Sequence, residues 1–154
     1  TPTTEPGAVA FFDLPRGQTV CTGAQNSPGG GAVLSVLGSS LVDVGDVYLR
    51  THGLPPSTLC LGLVGSLSGF TPNPGGSAGN LCLAGELGRF VGQAGPSTSD
   101  GRFSIGVNVA ALPLSSGVTP IASDELWTFQ TWYRDQSPTG PTSNFSSSVA
   151  ARFD

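Results

Sequence analysis

Gln130, Trp132 and Arg134 are the side chains of this sequence best suited to holding a ligand. Alternate residues of a strand share a face, so an indole would lie between an amide and a guanidinium. Such a ring covers the apolar face of a pyranose while its neighbours donate hydrogen bonds, the chemistry of a carbohydrate platform. The structural alternative is that Trp132 caps a core edge while Arg134 stacks on a ring or pairs with Asp135. Solvent exposure of Trp132 separates the two readings.

Other chemistry-bearing residues are sparse. His52 is the only histidine, so a serine or cysteine triad would have to use it as base. No nucleophile elbow is present, since Gly65-Ser66-Leu67-Ser68-Gly69 is offset and has no following helix. Most acids, among them Asp13, Asp100 and Glu86, sit at expected turns and form no glycosidase pair. Asp43 with Asp46, and Asp124 with Glu125, are calcium candidates if backbone carbonyls join them. No other cofactor is expected. Cys21, Cys60 and Cys82 permit one disulfide and leave one thiol, with spacings that match no compact zinc site. A disulfide in a secreted domain would contribute about 2–4 kcal/mol. Asn144-Phe145-Ser146 fits the glycosylation rule formally.

Composition narrows the partners. The chain has 154 residues, six basic residues that are all arginine, ten acids and a net charge of −4. A nucleic-acid partner is not expected without a basic footprint. No stretch has the length of a membrane span, and no signal peptide is visible. Charged residues are only 10% of the chain, so hydroxyl- and glycine-rich surface must supply solubility.

The elements that would position these residues read as short strands. Residues 1–7 look like a linker and 8–154 like one β-sandwich domain. Strands are expected at 8–14, 18–22, 32–37, 44–51, 58–66, 103–109, 125–135 and 145–153. The glycine- and proline-rich stretch 68–80 reads as a long loop, with strand fragments at 81–83 and 89–91. Phe103, Ile105, Val107 and Val109 alternate strictly with small or polar residues. In 125–135, which holds both tryptophans, Trp127, Phe129, Thr131 and Tyr133 make the better core face. Phe145, Ser147, Val149, Ala151 and Phe153 share a face in the last strand. The whole suits an all-β antiparallel sandwich of eight or nine strands, with jelly-roll or immunoglobulin-like topology.

Several motifs add a resemblance. Cys21 with Asn26-Ser27, Gly53-Leu54-Pro55, Gly79-Asn80-Leu81-Cys82-Leu83, Trp127 to Asp135 and Thr142-Ser143-Asn144-Phe145 are similar to a family of uncharacterised secreted bacterial β-domains of planctomycete and myxobacterial type. The resemblance spans roughly residues 20–153. It implies a non-catalytic accessory module, secreted or on the cell surface, that binds carbohydrate or another surface polymer within a larger secreted protein. A purely structural or self-assembling spacer is the alternative. It also implies a Cys21–Cys82 bridge, with Cys60 as a departure, and carries over no catalytic residue.

Overall fold

Strict alternation of apolar residues builds two facing antiparallel sheets. The computed structural model describes residues 16–154, so the expected strand at 8–14 lies outside them. In chain order the strands are β1 Gln18–Cys21, β2 Val33–Gly38, β3 Val47–His52, β4 Leu59–Pro72, β5 Asn80–Arg89 and β6 Gly95–Pro96. They continue with β7 Phe103–Val107, β8 Leu112–Leu114, β9 Gly117–Thr119, β10 Leu126–Ser137, β11 Gly140–Phe145 and β12 Ser148–Arg152. Among the described residues β2-β3-β7 form a small sheet. The larger sheet runs β1-β12-β10-β4-β5-β8-β9, with β11 paired to β10 and β6 to β4.

The core lies between these sheets. Leu34, Val36, Leu49 and Ile105 from the small sheet meet Val64, Phe129, Tyr133 and Val149 from the large one. A hydrogen bond of 2.8 Å between the Thr51 and Thr131 hydroxyls crosses the gap. Trp127, Phe129, Thr131 and Tyr133 are all buried, as their period of two requires. In β7, Phe103, Ile105 and Val107 are buried while Ser104 and Gly106 are exposed.

Two expectations change. The expected loop at 68–80 shrinks to 73–79, a tip holding a 3-10 turn at Pro74–Gly76: β4 runs to Pro72, and β5 is continuous from Asn80 across the Gly85 bend. β-Bulges between Gly65 and Leu67 and between Ser68 and Thr71 let the β4–β5 hairpin curl without breaking its ladder. Gly69 lies within this bent ladder, whereas Gly75, Gly76 and Gly79 belong to the tip. The last expected strand is two: β11 ends at Phe145 and β12 starts at Ser148. The break reverses Phe145, which pairs with Trp132 on the outer face, whereas Val149, Ala151 and Phe153 join the core.

β7 lies at the edge of the small sheet, a position open to pairing with another chain. Neighbouring segments cover part of it. The Gln93 side chain donates to the Gly106 carbonyl (2.7 Å) and accepts from its N–H (2.9 Å), as a neighbouring strand would. Four residues before Gly106, the Arg102 backbone N–H donates to the Thr98 hydroxyl and the Arg102 carbonyl accepts from the Thr98 N–H. Gln93→Ala is expected to free the Gly106 peptide and produce concentration-dependent self-association by sedimentation velocity. An unchanged monomer–oligomer distribution would show that the cap is dispensable.

Candidate functional site

The outer face of β10 splits into a covered and an open part. Gln130 has no solvent exposure, Trp132 is half-buried and Arg134 is exposed. The Gln130 side-chain oxygen accepts from the Cys82 N–H (2.9 Å), and its amide nitrogen donates to the carbonyls of Asn80 (3.0 Å) and Ser146 (2.9 Å). This corrects the three-residue platform, because Gln130 has no group left to offer a ligand. The physical reason is the curled β4–β5 hairpin, whose β5 half passes over β10 and satisfies its buried polar groups on Gln130.

Two further attachments hold the hairpin in place. Cys82 is bonded to Cys21 at the opposite edge of the sheet, the pairing the resemblance implies. At the tip, the Ala78 N–H and Ser77 hydroxyl both donate to the Ser143 carbonyl at 2.9 Å. Gly79 lies so close to β11 that a Cβ there would meet the Asn144 side-chain oxygen, so only glycine permits this approach.

Beneath and beside the curl is a groove of about 770 Å³. Leu61, Leu63 and Trp132 form its floor, Leu81 and Leu83 its wall, and Arg89 stands at its rim. Trp132 faces Leu61 across the ladder, and Leu63 faces Arg89. The Arg134 guanidinium lies 6.0 Å from the Trp132 ring centroid and makes no ion pair with Asp135. The expected contact between Trp132 and Arg134 is therefore present, on a surface that is mainly aliphatic.

Sequence reasoning missed the leucines. A usable signal was that β4 is apolar on both faces: Leu59, Leu61 and Leu63 alternate with Cys60 and Val64. A strand of that kind requires cover on both sides. Here the second cover is incomplete, and the gap is the groove.

Other candidate residues have structural partners or none. The Glu125 carboxylate accepts from the Ala122 N–H (2.6 Å) and the Trp127 ring N–H (3.2 Å), bracing a turn. Asp124 occupies that turn with φ of 70°. Asp43 and Asp46 are exposed. Among the described residues no three His, Cys, Asp or Glu side chains gather around a metal position. His52 is exposed at the end of β3. Asn144 is fully buried and donates to the Gln25 carbonyl (3.1 Å), so its amide is not presented for glycosylation. Cys60 is free and buried, and burial pushes its thiol pKa up to about 12.

The motif residues converge on one internal network. Asn26 donates to the Gly53 carbonyl (2.8 Å) and the Tyr133 hydroxyl (3.1 Å), and burial pushes that phenol up to about 12. Asp135 accepts from the backbone N–H groups of Ser27 (3.2 Å) and Gln136 (2.8 Å) and from the Asn144 amide (3.4 Å). These side chains tie the 25–31 loop to β10 and β11. Their chemistry specifies the fold.

Fold and site together define an antiparallel β-sandwich with a hairpin-walled groove on its outer face. Neither the protein-family models, nor the curated proteins, nor the solved structures contain a match to this chain.

Proposed function

We propose that this chain is a non-catalytic extracellular accessory module whose ligand seats in the groove over Trp132. One observation carries the reading: a half-buried indole, backed by a guanidinium, floors a concavity of about 770 Å³, a size typical of ligand sites. The resemblance to secreted β-domains and the disulfide support an extracellular setting. None of the helices among the described residues is long and apolar enough to cross a membrane.

A polysaccharide or another surface polymer is the ligand the sequence suggests. With Gln130 occupied, a sugar would keep Trp132 and Arg134 but meet leucine on the remaining surface. Hydroxyls left unpaired there cost free energy, so the groove favours a ligand with apolar surface. The covered β7 edge argues against a self-assembling spacer.

Trp132→Ala is expected to weaken ligand binding by about 2 kcal/mol, near thirtyfold. Affinity electrophoresis on polysaccharide gels and calorimetry with apolar ligands would measure it. Unchanged affinity in the variant would remove Trp132 from the site.

A further inference from the structure

The groove's polar inventory limits its occupant. Gln130 is fully engaged, and the lining is mainly apolar, with Ser115 its other polar side chain besides Arg89 and the Trp132 indole. Arg89 is exposed at the rim and makes no ion pair among the described residues, where the salt bridge is Arg102 with Asp100. A peptide brings a donor and an acceptor per residue, and a sugar brings several hydroxyls. Both would leave groups unsatisfied against Leu63, Leu81 and Leu83. An aliphatic chain brings none. The Arg89 guanidinium at the rim matches a carboxylate, a charge-assisted pairing, while Arg134 stands over the Trp132 ring.

We infer that the groove takes one soluble aliphatic carboxylate, its chain lying over Trp132 and Leu63 and its head group on the Arg89 guanidinium. The inference rests on the groove being the ligand site. It adds the chemical class. The net charge of −4 gives the protein no general attraction for anions, so selection for the carboxylate comes from local cations, with Arg89 the one that lines the groove.

The test uses the intact, oxidised chain, titrated with monomeric decanoate, octanoate and decan-1-ol by calorimetry and indole fluorescence. Decanoate is expected to bind at one per chain. Octanoate, two methylenes shorter, should bind about tenfold more weakly. Arg89→Gln, a change at an exposed position, should reduce decanoate affinity at least tenfold and leave decan-1-ol unchanged. Equal affinity for decanoate and decan-1-ol, or an unaffected Arg89→Gln variant, would overturn the carboxylate class while leaving the groove as an apolar site. Trp132-dependent polysaccharide binding without aliphatic binding would also overturn the class and keep the site. Binding to phosphatidylglycerol vesicles without monomeric decanoate binding would replace the soluble ligand with a bilayer surface. Failure of every probe would remove both the class and the groove reading.

Discussion

Gln130→Ala is expected to lower the stability of the fold by about 3 kcal/mol, because three partners, two of them in buried bonds, lose their hydrogen bond at once. Those partners are the Cys82 N–H and the carbonyls of Asn80 and Ser146. Water cannot readily replace the lost amide, since Gln130 has no solvent exposure. Gln130→Glu separates shape from chemistry. A carboxylate still accepts from Cys82, but when ionised it cannot donate to the two carbonyls. It should therefore destabilise at neutral pH despite its near-identical size. Urea unfolding of both variants measures the effect. A loss below about 1 kcal/mol in each would mean that the amide is replaceable and that other contacts seat the hairpin.

Removing the disulfide is expected to cost still more. Cys21 and Cys82 are 61 positions apart, and the chain-entropy relation for a loop of that length predicts about 4 kcal/mol. The bond also pins β5 above β10, so the Cys21→Ser/Cys82→Ser variant should lose groove binding under milder denaturing conditions than it loses the core. Local opening of this kind is expected where a segment is packed less firmly than the core. Thermal unfolding gives the global term, and ligand binding along a urea series gives the local one. Coincident unfolding curves for the variant and the parent would contradict the assignment, with Cys60→Ala as the control for thiol loss.

The legible part of the fold was local in origin. Alternation in 103–107 and 126–133 names the face turned to the core directly, because side chains one pleat apart point opposite ways. The curl of the β4–β5 hairpin was not legible. Residues 68–72 resemble a loop in composition, and only their ladder pairing with Asn80–Leu83 shows them to be strand. Gln130 illustrates the same limit at the site. Its neighbours Trp132 and Arg134 place it on an outer face, yet Asn80 and Cys82, about fifty positions away, bury it. Asn26, Tyr133, Asp135 and Asn144 stood out as motif residues, and their role is a shared internal network rather than a ligand surface.

The odd cysteine has a consequence for oxidative maturation. Disulfide exchange proceeds through a thiolate attacker, and burial holds the Cys60 thiol pKa near 12. At neutral pH the folded chain therefore presents almost no attacking species from Cys60. Before folding, that thiol competes with Cys21 and Cys82 on ordinary terms. Folding thus acts as a ratchet on cysteine pairing: a mispaired chain keeps a reactive thiol and can exchange again, whereas the native pairing withdraws the competitor that would undo it.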